Sequence, residues 1–138
     1  MAEATRVGFR EVEHTADWEI EVWAPELDAL FEQAARGMYT LSGIQLRSDQ
    51  RQSQTLQLEA TDLESLLVSF LSELLFLAED QAIGFDRFEL QINGSLLKAK
   101  LSGAPIAAQT KEVKAVTYHN LNIRRTQRGW EVNVIFDI

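Results

Sequence analysis

Hydrophobic residues alternate with polar ones near both ends of the chain and fall at helical spacing between them. Trp18, Ile20 and Val22 share one parity while Asp17, Glu19 and Glu21 share the other, the mark of a strand with one dry face. Two strands are predicted at the start, over 8–13 and 17–24. Pro25 suits the first turn of a helix. Leu27, Leu30, Phe31, Ala34, Ala35, Met38 and Leu41 then form one helical stripe, and Gly43 stops it. In a third strand, Leu56 and Leu58 alternate with Gln57 and Glu59. Thr61-Asp62-Leu63-Glu64 reads as a capping box, with the Thr61 hydroxyl accepting from the backbone three residues on and Glu64 reaching back. The second helix has its stripe at Leu63, Leu66, Leu67, Phe70, Leu71, Leu74 and Ala78, widened by Val68, Leu75 and Phe76. A helix this apolar is expected to be covered on more than one side, at the centre of the core.

Strands are predicted again over 85–92 and 95–102, joined by Asn93-Gly94 as a two-residue turn with positive φ at both positions. Gly103, Ala104 and Pro105 read as a loop, and 113–123 and 129–138 as a second hairpin turning around 126–129. The order ββ-α-β-α-ββ-ββ predicts an α+β fold, two helices packed on largely antiparallel β-sheets. At 138 residues, one domain spanning 1–138 is expected.

Composition narrows the chemistry. The absence of cysteine excludes disulfides, thiolate metal sites and a cysteine nucleophile, and the two histidines are too few for most structural zinc sites. Thirteen basic against twenty-one acidic residues give a net charge of −8, which repels phosphate backbones and argues against stable direct nucleic-acid binding. The cluster Arg124, Arg125 and Arg128 is read as a solvated hairpin tip. Met1-Ala2-Glu3-Ala4 lacks the pattern of a secretory signal, and the apolar stretch 63–78 is broken by Glu64 and Glu73, so a cytoplasmic protein without a membrane span is expected. Neither a phosphate-binding loop nor a G-x-S-x-G elbow occurs.

Three segments are more specific than packing requires: His14-Thr15-Ala16-Asp17, the run 111–119, and the end 134–138. Trp130, Val132, Val134, Phe136 and Ile138 share one parity, so the last strand is expected to run to the final residue, setting the α-carboxylate beside Asp137. Two fixed carboxylates repel each other unless something compensates. A hard cation with oxygen ligands would do so, and so would exposure to screening water. His14 and Asp17 suit a ligand or acid/base pair, and equally a turn closed by side-chain bonds to the backbone. Lys111 and Lys114, three apart on a predicted strand, are expected on opposite faces, which leaves one of them placed to reach an anionic site, or both simply solvated. These residues alone support a candidate carboxylate-lined cation site and no visible catalytic apparatus.

Taken in order, Glu13-His14-Thr15-Ala16-Asp17, Leu30-Phe31-Glu32-Gln33-Ala34-Ala35-Arg36-Gly37-Met38, Asp62-Leu63-Glu64-Ser65-Leu66-Leu67 with Glu73-Leu74-Leu75, Lys111-Glu112-Val113-Lys114-Ala115-Val116-Thr117-Tyr118-His119, and Val134-Ile135-Phe136-Asp137-Ile138 resemble the archease family over nearly the whole chain. The resemblance implies a non-catalytic accessory protein of an RtcB-type RNA ligase. Such a protein promotes guanylation of the ligase and its repeated turnover in tRNA splicing or RNA repair. It also implies a divalent metal, calcium in kind, held by Asp17, Asp137 and Ile138, and a role in ligase activation for Lys114, with His14 and Lys111 as further candidates. Trp18-Glu19 and Ala24-Pro25 depart from the small residues, often glycine, that many archeases carry there. The departure bears on the shape around Asp17 and the choice of ligase. A metal-dependent hydrolase using Asp17, Asp137 and His14, and a general chaperone of nucleic-acid enzymes, are the competing readings.

Overall fold

Strand alternation builds the first sheet. In the computed structural model, which describes residues 6–12 and 18–138, β1 (Gly8–Val12) pairs antiparallel with β2 (Trp18–Ala24), and β2 pairs with β9 (Gly129–Asp137). The even-numbered residues of β2 and β9 face inward: Ile20, Val22, Val132, Val134 and Phe136 are buried, and Trp18 packs against this core. Two short strands, β7 (Ala115–Val116) and β8 (Arg124–Thr126), also pair with β9.

The second sheet is centred on β6 (Leu96–Ala108), flanked by β4 (Gln52–Glu59) and the two-residue β3 (Gln45–Leu46) on one side and β5 (Ile83–Asn93) on the other, all antiparallel. Helix α1 (Leu27–Ser42) packs on β1, β2 and β5, while α2 (Leu63–Gln81) touches β4, β5 and β6 of one sheet and β7 of the other. Leu66, Leu67, Phe70, Leu71 and Leu74 are fully buried, so α2 is the many-sided core helix its composition predicts. Phe76 is the exception, at 55% exposure.

The α+β architecture and the order of its long elements match the sequence expectation. Several local details differ, each for an identifiable reason. Pro25 lies outside α1, whose N-cap is Glu26; Gly43 ends that helix at φ 66°, as expected. The cap of α2 is Asp62, not Thr61: its Oδ1 accepts the Ser65 N–H at 2.7 Å. Aspartate caps as well as threonine, and Glu64 is diverted to a tertiary partner, accepting the Ile123 N–H at 2.9 Å.

The first hairpin turns on Gly94-Ser95, with Asn93 paired to Leu96. Only Gly94 has positive φ, the type II′ pattern in which glycine takes the first central position. Gly103, Ala104 and Pro105 belong to β6 rather than to a loop. Gly103 lets the strands close up there, since a Cβ would run into the Gly84 carbonyl oxygen. Pro105, which has no N–H to place, contributes its carbonyl to the Arg47 N–H at 2.9 Å.

The strand expected over 113–123 is the largest correction. Only Ala115–Val116 is strand, after which the chain loops out before β8. Thr117 Oγ1 donates to the Ile135 carbonyl and accepts the His119 N–H, Leu121 N–H donates to the Tyr118 carbonyl, and Asn120 takes φ 54°. Side-chain bonds to nearby backbone compete with the sheet ladder at these positions.

Candidate functional site

The run from 109 to 118 leaves β6 at Ala108 and is tied down at two points. The carbonyl of Ser42, a residue 1% exposed at the end of α1, accepts the Thr110 and Lys111 N–H groups, each at 3.1 Å, and the Thr110 hydroxyl at 3.2 Å. Further on, the Lys114 N–H donates to the Asp137 carbonyl at 2.7 Å and the Thr117 N–H to the Ile135 carbonyl at 3.0 Å. The α1 C-terminus thus offers an orphan carbonyl, and β9 offers an open edge. Together they fix the backbone on either side of Lys111 and Lys114 while both side chains stay exposed.

The Lys111 ammonium sits 4.0 Å from the centre of the Trp18 ring. Trp18 is the register partner of Phe136, the residue before Asp137. The structure therefore gathers Lys111, Lys114, Asp137 and Trp18 at one end of the first sheet. The expectation that the two lysines occupy opposite strand faces does not hold, because residues 111 and 114 are not in a strand. Asp137 closes β9 with its side chain exposed, and its carboxylate has no hydrogen-bond or ion-pair partner among the described residues. Ile138 lies one residue past the strand and is 37% exposed, so the buried face of β9 ends at Phe136. His14 and Asp17 lie outside the described residues. Among the described residues, no three His, Asp or Glu side chains come together as a metal-binding set.

Trp18 was visible in the sequence as a departure, but nothing there linked it to Lys111. The Ser42 contribution is a backbone carbonyl and leaves no residue-type signal at all. A larger groove, about 920 Å³, runs between Glu26–Glu32 of α1 and the β4–β6–β5 sheet, and none of Lys111, Lys114, Asp137 and Ile138 borders it.

The outward face of the first sheet carries a connected polar network. Asn133 donates to Glu19 at 2.8 Å, Arg124 bonds Asn133 and Glu131, and Arg128 bonds Glu131 at 2.9 Å and lies 3.6 Å from Glu21, which also holds Arg10. Arg125 stacks on Trp130 and Arg128 on Trp23. The three arginines at the hairpin tip are therefore engaged by carboxylates, an amide and rings, rather than simply solvated. Glu131 is 8% exposed, and the Arg128 hydrogen bond, with Thr126 and Arg124, holds its pKa down at about 2.

A carboxyl whose folded pKa lies below its ordinary 4.5 stabilises the fold fully above that value. The contribution fades as pH falls from there through about 2. Glu131→Gln should lower stability by about 1–2 kcal/mol at neutral pH, a figure reduced for the solvent around Arg128. The same variant should flatten the acid limb of the curve. Urea unfolding at neutral pH and at pH values below 4.5 would check both.

The archease protein family (MTH1598/TM1083) matches residues 9–138. The chain belongs to the archease family. Archease relatives include those of Methanosarcina barkeri, 33% identical with 94% of this chain and 95% of the relative covered, and Thermococcus gammatolerans, 33% identical with 91% and 95% covered. Among solved structures, protein 1598 of Methanobacterium thermoautotrophicum superposes with a TM-score of 0.71 at 26% identity, covering 95% of this chain and 99% of the other. An archease from Thermotoga maritima, described as a possible chaperone, gives 0.69 at 23% identity over 94% and 96%. No described helix of this archease-family chain is long and apolar enough to cross a membrane.

Proposed function

We propose that this archease-family chain is a non-catalytic accessory protein of an RtcB-type RNA ligase in the cytoplasm. In this reading it promotes ligase guanylation and repeated turnover in tRNA splicing or RNA repair, without stable nucleic-acid binding of its own. The observation that carries the reading is the meeting of Lys111, Lys114, Trp18 and Asp137 at one exposed end of the sheet. Lys111, Lys114 and Asp137 come from two of the segments that resemble the family, Trp18 follows a third, and packing alone does not require the charges to converge.

Lys114 has its backbone locked to Asp137, and its exposed ammonium, without a partner among the described residues, can reach a phosphate or an acidic group of the ligase. A compact, strongly hydrated charge on a flexible stem suits that task. Lys111, and His14 from the first motif, act beside it. Asp17, Asp137 and Ile138 would hold a divalent cation, calcium in kind. The fit is supported by the Asp137 carboxylate, which has no partner among the described residues, and by the pairing of Trp18 with Phe136, the sequence neighbours of Asp17 and Asp137. When bound, such an ion supplies positive charge that orients oxygen ligands. The chain's own residues supply placement: a fixed backbone, two lysines and a half-buried tryptophan around the point of contact.

A multiple-turnover ligation assay with the ligase of the same genome tests the proposal. Substoichiometric amounts of the protein should raise both the guanylation rate and the number of turnovers. GTP hydrolysis by the isolated protein that disappears in Asp17→Ala would replace the accessory reading with a hydrolase. Binding to many unfolded proteins without any effect on the ligase would replace it with a chaperone.

A further inference from the structure

Next to the candidate site, the run 109–113 and the outer side of α2 enclose a hollow of about 350 Å³. Its floor is apolar: Ile44, Leu75, Ala78 and Val113. Its rim carries Glu79 of α2 and Glu112, both exposed and both without a hydrogen-bond or ion-pair partner among the described residues. Each side-chain donor nearby already makes one contact within the protein. The Thr110 hydroxyl bonds the Ser42 carbonyl, the Gln109 amide nitrogen donates to the Lys111 carbonyl at 2.9 Å, and the Lys111 ammonium lies over Trp18. What the rim leaves open are acceptors: two carboxylates and the Gln109 amide oxygen.

We propose that this hollow receives an arginine side chain presented by a protein partner. An apolar floor suits the aliphatic stem, and a rim of acceptors suits a head group that carries only donors. A guanidinium spreads five N–H groups in a plane and can be shared between two carboxylates, which an ammonium does less well. The volume lies near the lower end of the range for ligand pockets, about 300–1,000 Å³, which favours one side chain over a nucleotide or cofactor. The net charge of −8 favours the approach of basic partners to the protein as a whole. In the ligase reading the hollow would anchor the partner beside Lys111 and Lys114. The hollow itself does not depend on that reading.

Two measurements decide it. In the first, N-acetyl-arginine amide is titrated into the isolated protein at millimolar concentration while the backbone amide resonances of 109–113 are followed. These should move in the wild type and stay still in the Glu79→Gln/Glu112→Gln double variant. In the second, affinity for the ligase is measured for that double variant and for Glu59→Gln/Glu89→Gln, which makes the same change of charge at exposed positions on the other sheet. The first pair should weaken binding about tenfold, or 1.4 kcal/mol, and reduce its salt dependence, while the second pair should leave both nearly unchanged. No movement of the 109–113 amides would overturn the proposal, as would equal weakening by both double variants. If the wild type does not bind the ligase at all, the ligase reading fails and the titration alone decides the hollow.

Discussion

Gly103→Ala is expected to be the most damaging small substitution in the protein. The added Cβ meets the carbonyl oxygen of Gly84 and the backbone of Phe85, on the neighbouring strand of the same sheet. Backbone cannot swing aside as the end of a side chain can, so β5 and β6 would have to part where both are buried. Overpacking of this kind costs about 3 kcal/mol or more, near 12 °C of melting temperature for a domain of this size. Gly94→Ala provides the contrast. Nothing lies within 4 Å of its Cβ position, but φ is +60°, so only the left-handed backbone is penalised, at about 1–2 kcal/mol. Thermal and urea unfolding of the two variants would check the ranking. If Gly103→Ala melts within a few degrees of the wild type, the close approach of β5 and β6 is wrong.

The largest functional effect is expected from Lys114→Ala. Its N–H bond to Asp137 belongs to the backbone and survives the change, and its side chain is exposed. Stability should therefore move by about half a kcal/mol or less. If its ammonium reaches the ligase or its nucleotide, activation should fall at least about tenfold, a loss of 1.4 kcal/mol or more. Lys114→Arg should recover only part of it. Lys111→Ala should be milder than Lys114→Ala, though not because it faces away. Its ammonium rests on Trp18, a contact worth about 0.5–1 kcal/mol at an exposed position, so its loss loosens the segment instead of deleting the reaching charge. Guanylation rate and turnover number, measured beside the melting temperature, separate the two roles. Equal loss of activation from both alanine variants would mean that the lysines act as one patch.

The periodicities were enough for the frame of the fold. Period-2 alternation over β2 and β9 and the helical stripes of α1 and α2 depend on nearest neighbours in sequence, and Ile20, Val22, Val134 and Phe136 are buried as that alternation predicts. The C-terminal stop of α1 at Gly43 was equally local. Errors arose where two local solutions compete closely. Thr61 and Asp62 are both good caps, and a distant N–H on Ile123 drew Glu64 away from the box. Gly103-Ala104-Pro105 has the composition of a loop, yet neighbouring strands hold it in β6.

For the site, the sequence by itself determined which segments are unusual: the His14–Asp17 motif, the lysine-bearing run and the acidic end of β9. It did not determine how the last two meet each other and Trp18. That depends on the antiparallel pairing of Trp18 with Phe136, and on a Ser42 carbonyl that turns the chain so Lys111 lands on the tryptophan ring. Both are encounters between residues far apart in sequence, mediated largely by backbone atoms that every residue type carries. Local pattern is written in side chains, and so it could name the participants. Their placement came from the tertiary structure, because only packing decides which distant backbone groups find each other.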